Sequence, residues 1–314
     1  MIPGIVVSIL LAGLLPAGVS GAADLRWLQH AVIFGVFLLQ GLSLDLKQLE
    51  SWREHARLVL LVLAGNFILL PAIGFGLHLW MPGPPPLLLG LFFLSVLPTT
   101  ITSAVAIATD NGGDRLMALF GTALSNLASV FVTPAMVSLL LSGGEHNGGG
   151  DLWSLIQKLF LLLALPLLLG ASWRRLPRFA ATAPRWASYF NLCAILYLLF
   201  VAMARSVRQD VWAHLGGKEW VVAGGGALLL FGSGQIGLTL LAALTRLDER
   251  QRVSLIITGG QKSLATGIPI ATLIFTHSQW ADQLGLIVLP LLIYHPLQLL
   301  ANSQWPRLRQ GDPA

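Results

Sequence analysis

Apolar residues run along this chain in ten long stretches separated by short polar segments. The stretches cover roughly residues 3–20, 28–44, 57–80, 86–109, 116–142, 152–173, 187–206, 219–245, 252–276 and 283–303. Each approaches the roughly 20 mostly apolar residues that a helix needs to cross a bilayer. The pattern therefore predicts an all-α integral membrane protein with ten transmembrane helices. "SLDLKQLESWREHAR" forms the loop between the second and third.

Between the fifth and sixth stretches lies "SGGEHNGGGD", the most linker-like segment of the chain. It divides the sequence into a first repeat over 1–142, a Gly-rich linker over 143–151 and a second repeat over 152–314. Five helices on each side is an odd number, so the two halves enter the membrane from opposite faces. That is the inverted-repeat plan of many secondary transporters, whose site lies at the midplane between repeats. The fourth stretch contains "LPTTITSA" and the ninth "GGQKSLATGIP"; both interrupt an apolar span with proline or glycine among hydroxyl and amide side chains. The fifth and tenth carry Pro134 and Pro296 within "FVTPAM" and "IYHPLQ". Paired broken helices point to a transport site.

Orientation follows from the short loops, whose cytoplasmic members collect Lys and Arg. Under the ten-helix plan thirteen fall on one side: Lys47, Arg53, Arg57, Arg115, Arg174, Arg175, Arg178, Arg185, Arg246, Arg250, Arg252, Arg307 and Arg309. Five fall on the other: Arg26, Lys158, Arg205, Arg208 and Lys218. Both termini are thereby placed in the cytoplasm of a multi-pass protein of the plasma, or inner, membrane. The first 23 residues end in a small-residue "VSGAA" like a secretory signal, but no basic residue precedes their apolar run. They are read as a retained first helix.

Composition narrows the class. Charged residues make up 11% of the 314, against about 25% in a soluble domain, and mean hydropathy is +0.75. The net charge of +5 resides in loops rather than on a water-exposed domain, so no nucleic-acid partner is expected. Membrane lipid and a small organic anion are the expected partners; oligomeric state is not encoded legibly. Cys193 is the only cysteine, which excludes an internal disulfide and a cysteine metal cluster. There is no Walker sequence, no H-E-x-x-H and no catalytic constellation, so neither ATP drive, a resident metal, another cofactor nor an enzyme activity is expected.

Polar residues inside the spans mark the candidate site. Thr99, Thr100, Thr102 and Ser103 follow Pro98, where hydroxyls can recouple a freed carbonyl or meet a ligand. Thr122 and Asn126 are four residues apart on one helix face, with Ser129 a turn on. Oxygens on one face suit a hard cation; interhelical hydrogen bonding, worth roughly 0.6 kcal/mol per pair, is the plainer use. Asn66 lies within the third span before Pro71, and His295 precedes Pro296. Lys262 is the only charge between Val253 and Thr276. A lysine at the centre of a spanning helix costs about 3 kcal/mol, and apart from Glu219, the first residue of the eighth stretch, no Asp or Glu lies within any span to pair with it.

These features resemble the bile acid:sodium symporter family, and "FLLQGLSLDLKQLE", "LPTTITSAVAIAT", "SVFVTPAM" and "GGQKSLATGIPIATLIF" are most similar to its SBF-like (YfeH-type) branch. The resemblance spans nearly the whole chain. It implies a panel domain of helices 1, 2, 6 and 7 working against a core of helices 3–5 and 8–10, with helices 4 and 9 crossing at their breaks. It implies one sodium site from Ser103, Thr122 and Asn126, and a second from Asn66 and Gln261. Here the chain departs from the family pattern. Ala104 stands where an asparagine is usual, Ile257 where an acidic residue is usual, and Lys262 where an asparagine is usual. Two like unit charges about 4 Å apart repel by roughly 4 kcal/mol at an effective dielectric of 20, close to three decades of affinity.

The sequence thus leads to the expectation of alternating-access secondary transport of an organic anion, bile-acid-like or a smaller carboxylate. Thr100, Thr102, Lys262, Ser263 and His295 are the candidate substrate contacts. The Lys262 ammonium is expected to stand in for a sodium ion, making transport sodium-independent, or proton-coupled if that lysine titrates. The alternatives are sodium-coupled symport, cation/proton antiport and a non-transporting membrane regulator of ion homeostasis.

Overall fold

A computed structural model describes residues 25–43, 55–142, 160–173, 185–208, 216–276 and 278–304, with Val7 and Gln157 as single points. The expected first helix and its signal-like leader, most of the loop after the second helix, nearly all of the Gly-rich linker, and Lys47, Arg53, Lys158, Arg174, Arg175, Arg178, Arg307 and Arg309 lie outside the described residues.

All regular structure among the described residues is helical. In chain order the elements are α1 (Arg26–Ser43), α2 (Ala56–Ala64), a π-turn (Gly65–Leu69), α3 (Leu70–Trp80), α4 (Pro85–Ser95), α5 (Ile101–Asp110) and α6 (Arg115–Ser142). A second π-turn (Phe160–Ala164) leads into α7 (Leu165–Trp173), followed by α8 (Arg185–Arg208), α9 (Gly217–Leu244), α10 (Glu249–Gly260), α11 (Leu264–Phe275), a short 3-10 turn (Ala281–Gln283) and α12 (Leu284–Ser303). Five runs are long and apolar enough to cross a membrane: Ala56–Trp80, Arg115–Leu141, Tyr189–Arg208, Gly217–Leu244 and Ala281–Ser303. The fourth and ninth apolar stretches each divide into two half-helices, α4 with α5 and α10 with α11.

The chain forms two compact units. The first comprises the described residues of Met1–Gln48, Pro134–Leu215 and Ile268–Leu286. There α1 and α7 cross with their backbones almost touching. A Cβ built on Gly41 would lie 2.1 Å from the Leu167 carbonyl oxygen, and one on Gly170 2.1 Å from that of Leu38. Reciprocal glycines of this kind are how membrane helices gain packing where apolar burial gives no preference over lipid.

The second unit comprises the described residues of Leu49–Thr133, Gly216–Gly267 and Ile287–Ala314. A cluster of Val62, Met117, Leu238, Ala242, Leu255 and Ile256 ties together α2, α6, α9 and α10. Helix α4 comes close to the start of α12 at Gly90, where a Cβ would sit 2.4 Å from the Ile287 carbonyl oxygen. The glycines of α9 divide: Gly226, Gly234 and Gly237 abut Leu91, Leu70 and Leu69, while Gly224, Gly225 and Gly232 face open space.

Candidate functional site

The two helix breaks lie side by side in the second unit. Pro98 has no N–H and its ring excludes a continuing helix, so α4 ends at Ser95 and α5 begins only at Ile101. The second break follows Gly259 and Gly260, where Gln261 turns extended (φ −75°, ψ 145°). The breaks are stitched by the Ser263 N–H, which donates to the Pro98 carbonyl at 2.8 Å. Gly267 keeps that approach close, since a Cβ there would meet Leu97 and Leu291 side chains, each at 2.7 Å.

Breaking a helix orphans carbonyls, and three of them converge on one side chain. The Ser95 carbonyl would ordinarily accept from Thr99, but that N–H turns to the Ser125 hydroxyl at 3.4 Å. The Leu97 carbonyl loses its helical partner with the break itself. In the π-turn the Leu70 N–H reaches back to Gly65. The same register would assign the Asn66 carbonyl to residue 71, which is a proline without a donor.

Lys262 fills this gap. Its Nζ donates to the Ser95 and Leu97 carbonyls, both at 2.7 Å, and more distantly to the Asn66 carbonyl (3.3 Å) and Asn66 Oδ1 (3.4 Å). Asn66 is oriented unambiguously, because its Nδ2 donates to the Val62 and Thr258 carbonyls at 3.2 and 3.3 Å. Among the described residues every hydrogen-bond partner of the ammonium is thus an acceptor, and none is a carboxylate. Three hydrogens face four oxygens. Lys262 has no exposed surface, so in this conformation it presents nothing to an entering anion.

Helix α12 secures the second break from behind. Gln298 pairs with the Lys262 peptide on both sides: its Oε1 accepts from the Lys262 N–H at 2.6 Å and its Nε2 donates to the Lys262 carbonyl at 2.8 Å. The Tyr294 hydroxyl, one turn earlier, donates to the Gly260 carbonyl at 2.7 Å. Gln298 Nε2 also contacts His295 Nδ1 at 3.0 Å. Since that amide nitrogen must donate, Nδ1 accepts, and the neutral ring carries its proton on Nε2, which has no partner.

The remaining sequence candidates form two further groups. Thr100 Oγ1 and Ser103 Oγ both donate to Gln261 Oε1, at 3.4 and 3.3 Å, while Gln261 Nε2 is buried without a partner. These two hydroxyls stand at the N-cap and third position of α5, whose N-terminus has no side-chain cap. Thr102 is exposed on the same turn. Asn126 forms the other group: its Nδ2 donates to the Thr99 and Thr122 carbonyls at 2.7 and 2.9 Å, and its Oδ1 accepts from Thr266 Oγ1 at 3.1 Å. Ser263 Oγ accepts the Thr266 N–H at 3.2 Å and thereby caps α11. The Thr122 hydroxyl turns back to Leu119 in its own helix, and that of Ser129 to Asn126. Ser103 and Asn126, paired in the expected first sodium site, thus hydrogen-bond to different partners.

Sequence reasoning missed Ser95, Tyr294 and Gln298. Ser95 and Leu97 act through backbone carbonyls, which leave no trace in residue type. Tyr294 and Gln298 had a signal: two polar groups at i and i+4 on one face of an apolar span.

Known proteins resemble this chain over almost its full length. An uncharacterised protein of Pseudomonas aeruginosa is 29% identical over 302 residues, covering 94% of this chain and 88% of its own. The YfeH protein of Escherichia coli, provisionally named a symporter, is 28% identical over 295 residues, covering 93% and 87%. The sodium/bile acid cotransporter 7 of Mus musculus is 28% identical over 323 residues, covering 96% and 89%. With residues 1–305 matched by the family model and several helices of spanning length, this multi-pass membrane protein belongs to the SBF-like CPA transporter family.

Proposed function

We propose that this chain is a secondary transporter moving an organic anion by alternating access, with the Lys262 ammonium occupying the place of a coupling sodium ion. The observation that carries the reading is the cage around Nζ. Two carbonyls at 2.7 Å and two Asn66 oxygens at 3.3 and 3.4 Å surround one positive charge with no carboxylate. Unwound carbonyls and half-helix C-termini are what transporters use to hold sodium. Here the C-terminal end of α4 does so for a tethered cation, whose charge its dipole favours.

The anion end of the reading rests on α5. An uncapped half-helix N-terminus and the spare Gln261 amide, which the Thr100 and Ser103 hydroxyls hold through its Oε1, offer donors and a positive dipole end to a carboxylate. Thr102 is exposed on the same turn, while Ser263 and His295, the other candidate contacts, are buried. The matching interruptions at α4–α5 and α10–α11 support two inverted five-helix repeats. The grouping of Leu49–Thr133, Gly216–Gly267 and Ile287–Ala314 in one compact unit supports reading helices 3–5 and 8–10 as the core. Loop charge supports an inner-membrane protein with cytoplasmic termini.

Thermal unfolding of the detergent-purified protein, titrated with sodium against potassium chloride, tests the proposal. The wild type is expected to ignore sodium. Lys262→Ala, which vacates the cage, is expected to gain saturable stabilisation, about 2.7 kcal/mol at a hundred times the dissociation constant. Saturable stabilisation of the wild type by sodium would refute the proposal, whether or not the variant folds. It would favour instead the sodium-coupled symport suggested by the vertebrate relatives' names.

A further inference from the structure

Four helix ends meet at one end of the second unit: α2 and α6 begin there, α9 finishes and α10 begins. The apolar cluster of Val62, Met117, Ala242 and Leu255 holds them together. The ends carry Arg57, Arg115, Arg246 and Arg250, all exposed. Arg57 donates through Nη2 to the Thr245 carbonyl at 2.5 Å, which brings it beside Arg246. The Asp114 N–H donates to the Arg250 carbonyl at 3.1 Å, drawing the start of α6 to that of α10.

The carboxylates of this region have other employment. Asp114 Oδ1 accepts the Leu116 and Met117 N–H groups at 2.9 and 3.0 Å, and Asp248 Oδ1 accepts that of Gln251 at 2.8 Å. Both sit at helix N-termini, whose dipoles offset their charge. Glu249 pairs with Arg252 at 3.1 Å, and Asp110 is exposed at the end of α5. The Arg115, Arg246 and Arg250 guanidinium groups have no partner among the described residues.

Arg246 carries a second signal. Its backbone is left-handed at φ 53°, the only positive φ outside glycine among the described residues. It closes α9, with the Arg246 N–H bonded to the Ala243 carbonyl and the Leu247 N–H to that of Ala242, both at 3.1 Å. That is the helix-ending turn that glycine ordinarily occupies. An arginine there gives up the better backbone and keeps a guanidinium at the surface. Leu60, Leu116 and Leu244, exposed by 59%, 46% and 82%, lie within three residues of these arginines. Exposed apolar side chains close in the chain to exposed arginines match a lipid chain and its headgroup.

We propose that this end of the second unit binds an anionic phospholipid, its phosphate held by Arg57 and Arg246, with Arg115 and Arg250 adding charge and Leu60 and Leu244 meeting the acyl chain. The test is native mass spectrometry and thermal unfolding of the full chain in neutral detergent, with phosphatidylglycerol, phosphatidylcholine or inorganic phosphate added. Phosphatidylglycerol is expected to give retained adducts and saturable stabilisation, and the other two neither. A basic side chain near anionic lipid contributes about fivefold in affinity, so Arg57→Gln with Arg246→Gly is expected to weaken phosphatidylglycerol binding by roughly 30-fold. Arg246→Gly alone relieves the left-handed turn. It is expected to unfold at a higher temperature than the wild type in phosphatidylcholine while losing part of the response to phosphatidylglycerol, which separates lost binding from lost folding. Equal binding of phosphatidylcholine, equal stabilisation by inorganic phosphate, or an unchanged double variant would each overturn the proposal.

Discussion

Replacing Gln298 with leucine removes the clamp on the second helix break while keeping the side chain close in size. The wild-type amide satisfies both the N–H and the carbonyl of Lys262, at 2.6 and 2.8 Å, and Gln298 itself has no exposed surface. The variant leaves two backbone groups buried without partners. Each such group costs about 1–3 kcal/mol, which sums to ~2–6 kcal/mol. Side-chain hydrogen bonds between membrane helices average only about 0.6 kcal/mol, because the separated helices find other partners. Two of those would give ~1.2 kcal/mol. The larger figure applies here: the orphaned groups belong to an extended backbone at a break, with no helical alternative, and both Lys262 and Gln298 are fully buried. Equilibrium unfolding in detergent is expected to show a loss of at least ~2 kcal/mol for Gln298→Leu. Gln298→Glu keeps an acceptor for the Lys262 N–H while losing the donor to its carbonyl. A Gln298→Leu variant within about 0.5 kcal/mol of wild type would refute the clamp.

Other expectations are more local. Gly90→Ala puts a methyl 2.4 Å from the Ile287 carbonyl oxygen; a backbone atom cannot rotate away, and overpacking of about 1–3 kcal/mol or more is expected by the same unfolding measurement. Asp114→Ala removes the acceptor for two N–H groups at the start of α6, for an expected loss of about 0.5–2 kcal/mol. Pro71→Ala supplies the N–H that the π-turn withholds from the Asn66 carbonyl. It is expected to compete with Lys262 for that oxygen, with the new N–H at residue 71 protected from hydrogen exchange.

The sequence was legible where chemistry and chain geometry coincide. Long apolar runs located the five described helices of spanning length, since a bilayer accepts little else. Pro98 and the Gly259–Gly260 pair located both breaks because each removes a specific helical option. The π-turn was not legible: Asn66 and Pro71 were noticed, but five-residue spacing means something only once the hydrogen-bond register has slipped. The partner of Lys262 was sought among acidic side chains, where a buried lysine is usually paired. The oxygens it meets belong chiefly to peptide groups whose identity depends on where helices stop. The expected pooling of Ser103 with Thr122 and Asn126 came from the family resemblance, with helix-face spacing behind only its Thr122–Asn126 part. That spacing cannot reveal that the Thr122 hydroxyl turns back on its own helix while Gln261 takes up Ser103.

The acceptor-only surroundings of Lys262 bear on which coupling the proposed cycle can use. A lysine that carries protons must also be stable as an amine, whose lone pair needs a donor or water to face. Here three carbonyls and one amide oxygen surround Nζ, and the Asn66 nitrogen that could have donated is committed to Val62 and Thr258. Deprotonation in place would set a lone pair against oxygen lone pairs and orphan the three carbonyls again. Proton exchange would therefore require the two breaks to separate first, opening the Ser263–Pro98 bond together with the cage. The fixed cation proposed above would need no such step, since its bonds to the Ser95 and Leu97 carbonyls could persist through the proposed cycle. The geometry thus favours Lys262 as a permanent counter-charge over a proton carrier. Among the coupling alternatives, proton antiport is the one it supports least.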